Sequence, residues 1–242
     1  VTLMFMPFTK VLAWLAERTI PEKEGEAADL SMPVLDQLLL QSPAVALQQA
    51  KNAVEKMASR TRTNFDKTVG LFTKFDAEVA ASVAHREELL DKMEVSITDY
   101  LIRISDQELT ESESHAVSEL LKFVGEYERI GDYTVNLMDC ARQLSEQEWS
   151  FSPSARKQAA LLFEAVGEVQ RVAGEAFTQA DAALAAQVEP LEETVDRMCD
   201  LMREEHITRL KAGECGIEPG LLFLDVLTNT ERISDHCSNI AA

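Results

Sequence analysis

A ten-residue motif occurs twice in this chain, about a hundred residues apart, as the ranges Tyr127–Asn136 and Thr230–Asn239. Glu, Arg, Ile, Asp and Asn stand at the same positions in both copies. A second pair of matching stretches, Glu87–Met93 and Glu192–Met198, repeats at nearly the same spacing. An internal duplication of this length predicts a fold made from two copies of one unit.

Each copy has the pattern of a helical bundle. Ala, Leu, Glu and Gln fill long runs in which apolar residues recur at helical spacing, and the 242 residues include only 9 Gly and 7 Pro. Ser-Pro opens the first helix of both copies as an N-cap followed by proline, at Ser42 and Ser152. The predicted helices cover residues 44–72, 77–104, 112–145, 154–180, 182–210 and 219–241.

Two further signals mark helix ends. Thr110 and Glu113 form a capping box before the third helix, and Gly213 and Gly216 separate the fifth helix from the sixth. With short turns, neighbouring helices run antiparallel. The sequence therefore predicts an all-α fold of two tandem three-helix bundles, with residues 42–150 as the first repeat and residues 151–242 as the second.

The N-terminal segment has a different character. Its apolar stretches are too short alone to span a bilayer, which needs about 20 apolar residues. With Lys10, Trp14 and Arg18 as interfacial anchors, however, residues 1–20 read as the end of a transmembrane helix. The alternative is an amphipathic helix packed on the domain. The polar, acidic residues 21–41 are predicted to be a linker.

The net charge of −19 argues against nucleic acid and anionic membrane surfaces as partners, and favours cationic metals or basic protein patches. The four cysteines are widely spaced, which fits neither a disulfide framework nor a zinc ribbon. No catalytic triad order, glycine-rich phosphate loop or dinucleotide fingerprint is present. The chain is therefore predicted not to be an enzyme.

Each copy contains two Glu-x-x-x-Asp pairs, and residues four apart share one face of a helix. If the second and third helices of a copy pack antiparallel, their four carboxylates meet around one point. Such oxygen-rich sites suit Mg, Ca, Mn or iron. The predicted metal ligands are Glu87, Asp91, Glu128 and Asp132 in the first copy and Glu192, Asp196, Glu231 and Asp235 in the second.

The alternative is a solvated acidic stripe balanced by neighbouring cations, because each motif carries one nearby: Lys92, Arg129, Arg197 and Arg232. The histidines His85, His115 and His206 are isolated and expected at the surface or rim. His236 and Cys237 are adjacent on a helix and point about 100° apart, so they are interpreted as helix-face residues rather than a zinc corner.

The duplicated Glu-Arg-Ile-x-Asp-x-x-x-Asn motif, with its accompanying Glu-x-x-x-Asp pairs, resembles the PhoU family over residues 42–242. That resemblance implies a six-helix protein that binds metal clusters through these acidic motifs and regulates phosphate uptake. Asn136 and Asn239 match the motif but are weaker ligand candidates. His236 stands where the family commonly has histidine, whereas the first copy has Tyr133, so the two sites are expected to differ.

The N-terminal apolar stretch, the acidic linker and Leu35–Leu39 resemble the junction found in sodium/phosphate cotransporter-family proteins. This resemblance implies a cytoplasmic regulatory domain of a sodium-dependent phosphate transporter in the cell membrane. Its expected partner is the transmembrane transport core of the same protein, and a homodimer is also considered. The expected cofactor is iron, zinc, manganese or magnesium, with phosphate held through the metal.

Two alternatives stay open. One is a free-standing PhoU-type adaptor that docks on a phosphate transporter or a sensor kinase, and the behaviour of residues 1–18 toward membranes distinguishes it. The other is a carboxylate-bridged metalloenzyme, which would need an open metal position and a substrate pocket. The sequence shows neither of these features.

Overall fold

The computed structural model describes residues 31–242. Within them the chain forms a short 3-10 helix and six α-helices and contains no strand. Every predicted α-helix is present, with both ends within two residues of the prediction. The 3-10 helix covers Gln37–Gln41, and the α-helices are α1 (Pro43–Thr73), α2 (Ala77–Ser105), α3 (Glu111–Glu146), α4 (Pro153–Gln179), α5 (Ala182–Lys211) and α6 (Ile217–Ala241).

The helix ends follow the local sequence signals, with one exception. Thr110 and Glu113 form the predicted capping box, and the Ser152 hydroxyl accepts from the amide of Ala155. Gly213 takes a φ of +72° after α5, a left-handed conformation that glycine adopts without strain. Ser42, in contrast, makes no side-chain capping bond within the described residues, so proline at the first helical position is the remaining start signal.

Each repeat is a bundle in which all three helices pack on one another. The two repeats then pack through α3 against α6 and through α1 against α4, so the larger of two hydrophobic clusters runs through both. Aromatic pairs cross this junction, with ring centroids 5.2 Å apart for Phe123 and Phe177 and 6.4 Å apart for Phe65 and Phe163. Each such pair contributes about 0.5–1.5 kcal/mol beyond its buried area.

The compact helical unit includes the last part of the segment that was predicted to be a linker. It spans Pro33–Ala242, and Leu35, Leu39 and Leu40 pack against the core. The Tyr100 hydroxyl donates a hydrogen bond of 2.9 Å to the Asp36 carbonyl. Partial burial of these leucines, which the polar composition of the segment hides, attaches the end of the predicted linker to the helical unit.

The predicted transmembrane end over residues 1–20, and the first ten residues of the predicted linker, lie outside the described residues. Within residues 31–242, no helix has both the length and the apolar character needed to cross a bilayer.

The expected surface position of His206 is wrong. Its side chain is 1% exposed and packs against Phe223 with ring centroids 5.3 Å apart. Among the cysteines, Cys140, Cys199 and Cys237 are buried, and all four thiols are free.

Candidate metal centre

Three carboxylates of the second repeat come together between α5 and α6. Glu192 and Asp196 lie one turn apart on α5, and Asp235 faces them from α6. One oxygen from each of the three lies within 4.8 Å of the others. The buried neighbours Val195, on α5, and Ile233, on α6, place these acids at the edge of the core rather than on an outer face.

The three charges repel one another in partly buried surroundings. Burial, followed by the nearby charges of Asp196 and Asp235, raises the pKa of Glu192 to about 7. Burial also raises the pKa of Asp196, with Asp235 and Glu231 adding to the effect. A divalent cation between these oxygens would remove this repulsion.

Glu231, the fourth predicted ligand of this repeat, has a different partner. Arg203 on α5 donates a hydrogen bond to the Glu231 carboxylate and also lies 3.2 Å from Asp200. Asp235 itself lies 3.0 Å from Arg232. The second cluster therefore combines the two sequence interpretations: three acids converge, and neighbouring arginines neutralise part of their charge.

In the first repeat the central residue is Glu87 of α2. Its side chain is only 9% exposed, and neither carboxylate oxygen has a hydrogen-bond partner among the described residues. It packs directly on α3 at Gly131, where an added methyl group would lie 2.6 Å from both oxygens. Ser234 occupies the matching position of the second repeat, so glycine is what allows this close approach.

Glu87 is electrostatically linked to the other three predicted ligands of its repeat. Burial first, and then Asp91, Asp132 and Glu128, raise the pKa of Glu87 to about 8. Burial and Asp132 likewise raise the pKa of Asp91 and of Glu128. The four acids therefore face one another across α2 and α3, as the antiparallel packing predicts.

The two clusters differ in compactness and in counter-charge. Among the residues described, three acids approach within 4.8 Å of one another only in the second repeat. Thr98 occupies the position of Arg203 in the first repeat, so the cation near Glu128 is its own neighbour Arg129, at 3.7 Å. The sequence comparison could have shown this difference, because the Arg203 position lies two turns beyond Asp196 on the same helix.

His236 and Asn239 of the second motif copy contact the first repeat rather than the carboxylate cluster. His236 Nδ1 lies 2.7 Å from an Oε2 atom of Glu126 on α3, and the Asn239 amide donates to the same oxygen over 3.1 Å. Tyr133 stacks on His236 with ring centroids 5.5 Å apart. Asn136 is exposed. The second half of the motif thus forms part of the α3–α6 contact.

The donor set fits a hard divalent cation. All candidate ligand atoms are carboxylate oxygens from two adjacent helices, and the unsatisfied oxygens of buried Glu87 need a positive partner when ionised. Such donors suit magnesium, manganese or iron better than zinc, which is more often held by His and Cys. A cavity of about 600 Å³ lies between α1 and α4, and one of about 410 Å³ is lined by α1 together with α3, α4, α5 and α6. None of the eight carboxylates lines either cavity.

Comparison of this sequence with known proteins finds matches to one family. The profile of the PhoU domain matches residues 54–141 and 160–242. The phosphate-specific transport system accessory protein PhoU homolog 1 of Thermotoga maritima is 23% identical over 192 residues, which cover 78% of this chain and 82% of that protein. The PhoU homolog of Pseudomonas putida is 26% identical over 196 residues, covering 81% and 76%.

Solved structures have the same fold. The crystal structure of PhoU from Pseudomonas aeruginosa matches with a TM-score of 0.76 and 26% identity, over 81% of this chain and 93% of that one. The phosphate transport system regulatory protein PhoU from Streptococcus pneumoniae matches with a TM-score of 0.74 and 17% identity, over 83% and 93%. This chain, which carries the duplicated acidic motif on α3 and α6, belongs to the PhoU domain family.

Proposed function

We propose that this protein is a metal-dependent accessory regulator of phosphate transport. Its relatives carry the name of accessory proteins of a phosphate-specific transport system, and this chain spans 76–82% of two of them. The observation that carries the metal dependence is the convergence of Glu192, Asp196 and Asp235 within 4.8 Å. A regulator that binds and releases an ion at such a cluster needs no catalytic group.

In this proposal Glu192, Asp196 and Asp235 hold an ion in the second repeat. Glu87, Asp91, Glu128 and Asp132 hold one in the first. Glu231 is paired with Arg203, which competes with the ion for its carboxylate, so Glu231 is not a free ligand. A bound ion supplies positive charge, which the net charge of −19 otherwise denies to an anion such as phosphate at these clusters.

The accessory-protein reading is favoured over the domain of a sodium-dependent cotransporter, because the relatives' names describe separate accessory proteins. The cotransporter reading depends on residues 1–20. Flotation of the whole chain with lipid vesicles separates the two: residues 1–20 acting as a membrane anchor would carry the chain to the top of the gradient. In both readings the helical unit works on the cytoplasmic side, next to a transport partner.

The metal assignment is tested by elemental analysis of purified protein after equilibration with magnesium, manganese or iron. Asp235→Asn is expected to lower the bound metal while leaving the helical circular dichroism unchanged. Asp225→Asn, an exposed aspartate on the same helix, is the matched control and should keep the wild-type content. Equal metal content in the two variants and the wild type would show that the ligand assignment is wrong.

A further inference from the structure

The charge beside the acidic cluster differs between the two repeats at one pair of matching positions. Arg203 of α5 donates a hydrogen bond to the Glu231 carboxylate of α6, and 30% and 27% of the two side chains are exposed. The repeat spacing that relates α5 to α2 matches Arg203 with Thr98, which carries no charge. The fourth acid of the second cluster therefore has a cation from the facing helix, whereas the matching acid of the first cluster, Glu128, has a neutral residue at that position.

A second pair of matching positions adds to this difference. Glu94 of α2 is half-buried and lies close enough to Glu128 to help raise the pKa of that carboxyl, after the larger effects of burial and of Asp132. Cys199 takes the matching position in α5, where it is buried and its thiol lies 3.6 Å from the Leu227 carbonyl oxygen. The first cluster therefore has an additional acid where the second has a neutral thiol.

The arginine inside each motif copy is common to both repeats and cannot account for the difference. Arg129 lies 3.7 Å from Glu128, and Arg232 lies 3.0 Å from Asp235. Both arginine side chains are more than half exposed, so water and salt screen their charges. Arg203 is less exposed than either, and it is present in the second repeat alone.

The Arg203 guanidinium and a metal ion need the same carboxylate oxygens. An ion that takes Glu231 as a ligand must displace Arg203, whose other contact is the largely exposed Asp200 at 3.2 Å. The displacement exchanges a partly buried, charge-assisted hydrogen bond for a screened surface contact, which weakens ion binding. An ion that leaves Glu231 with Arg203 has three carboxylates instead of four, and a smaller ligand charge also lowers affinity.

The surroundings of the other acids act in the same direction. Three carboxylates approach within 4.8 Å of one another in the second repeat, where arginines offset part of their mutual repulsion. In the first repeat neither oxygen of the buried Glu87 has a hydrogen-bond partner among the described residues. A cation therefore removes a larger electrostatic penalty in the first cluster than in the second.

We propose that the two repeats take up metal in order, the first cluster at a lower ion concentration than the second, and that the residues at the matching positions 98 and 203 set this order. The inference rests on the metal-dependent function proposed above and adds to it the regulation of the two clusters. At intermediate metal concentration one half is loaded, while Arg203 holds Glu231 in the other. The protein then responds to metal in two steps.

The test is a manganese titration of the chelator-treated whole chain, in which electron paramagnetic resonance measures the free ion. We expect two classes of site whose dissociation constants differ by about tenfold, because the ligand charge of the two clusters differs. Asp132→Asn should remove the tighter class, and Asp235→Asn should remove the weaker one.

Exchange of the two matching residues tests the cause of the order. Arg203→Thr should tighten the weaker class several-fold, and Thr98→Arg should weaken the tighter class by a similar factor. Lys211→Thr and Ser105→Arg make the same changes of charge at exposed positions about two turns further along the same helices. These two controls should leave both classes as they are in the wild type.

A single class of site, or a tighter class that Asp235→Asn removes, would overturn the order. An Arg203→Thr variant that binds manganese as the wild type does would also overturn it. If Thr98→Arg does not fold by circular dichroism, Arg203→Thr decides alone. Each of these contrary results leaves the metal-dependent function standing, whereas the absence of any saturable manganese binding would refute that function and the order with it.

Discussion

Replacing Glu87 with glutamine should change how the stability of the metal-free protein depends on pH. The glutamine side chain has nearly the same shape but cannot ionise. In the folded wild type, burial and three neighbouring acids raise the pKa of Glu87 from its ordinary value of 4.5 to about 8. The folded protein therefore keeps a proton on Glu87 at pH values where the unfolded chain has already released it.

The direction of this pH dependence follows from the number of protons that each state binds. Stability falls with rising pH wherever the folded state binds more protons than the unfolded state, by about 1.4 kcal/mol per pH unit for one group. For Glu87 this window runs from about pH 4.5 to pH 8. Between pH 5.5 and pH 8, the residue should therefore cost the metal-free wild type about 3 kcal/mol of unfolding free energy. The unfolding free energy of Glu87→Gln should therefore fall by about 3 kcal/mol less than that of the wild type over this pH range.

The measurement is urea unfolding of the chelator-treated protein at several pH values from 5.5 to 8.5, in buffer free of phosphate. The other acids, including Glu192 with its pKa raised to about 7, titrate in both proteins, so the difference between the two curves isolates Glu87. Glu88→Gln is the matched control, because that side chain is 68% exposed. Its curve should run parallel to that of the wild type.

If Glu87→Gln and the wild type lose the same stability across this range, Glu87 does not hold a proton in the folded state. Saturating manganese or magnesium provides a second check. A bound cation favours the ionised form of Glu87, so the decline of the wild type with pH should become smaller in its presence.

Three further changes test other contacts. Gly131→Ala places a methyl group against the Glu87 oxygens and should destabilise the protein by about 1–3 kcal/mol in urea unfolding, whereas Gly125→Ala, with open space around it, should be neutral or stabilising. Arg203→Gln removes the cation beside the second cluster and should tighten manganese binding several-fold in a competition titration. His236→Ala breaks the α3–α6 hydrogen bond and should cost about 1–2 kcal/mol, whereas exposed His115→Ala should cost almost nothing.

Each of these has a clear contrary result. A Gly131→Ala variant as stable as the wild type would mean that Glu87 does not lie against α3. Weaker manganese binding after Arg203→Gln would mean that the arginine organises the cluster instead of competing with the ion. Equal stability of the two histidine variants would show that His236 does not help to join the repeats.

The helices and their order could be predicted from the sequence because local signals determine them. Apolar periodicity, a capping box at Thr110 and the Ser-Pro starts all act within a few residues of the helix they define. Duplication of the motif predicted two copies of one three-helix unit. How the two copies pack, through α3 against α6 and α1 against α4, was not predicted. The sequence also predicted that Glu87 and Asp132 face each other, because neighbouring helices joined by short turns pack antiparallel.

The finer arrangement of the clusters depends on contacts that periodicity does not encode. The pairing of Arg203 with Glu231 requires the axial register of α5 against α6, and the depth of Glu87 depends on glycine rather than serine on the opposite helix. The burial of His206 likewise depends on Gly220, which comes from a different helix. In each case a residue distant in sequence decides the surroundings of the side chain.

The α3–α6 contact has a consequence for communication between the two halves. Asp132 and Tyr133 are consecutive on α3, and Asp235 and His236 are consecutive on α6, while the two rings stack on each other. Each acidic cluster is therefore one peptide unit away from the joint. A rotation of either helix that brought its aspartate toward an ion would also turn a ring in this stack, so ion binding in one half would change the contact with the other.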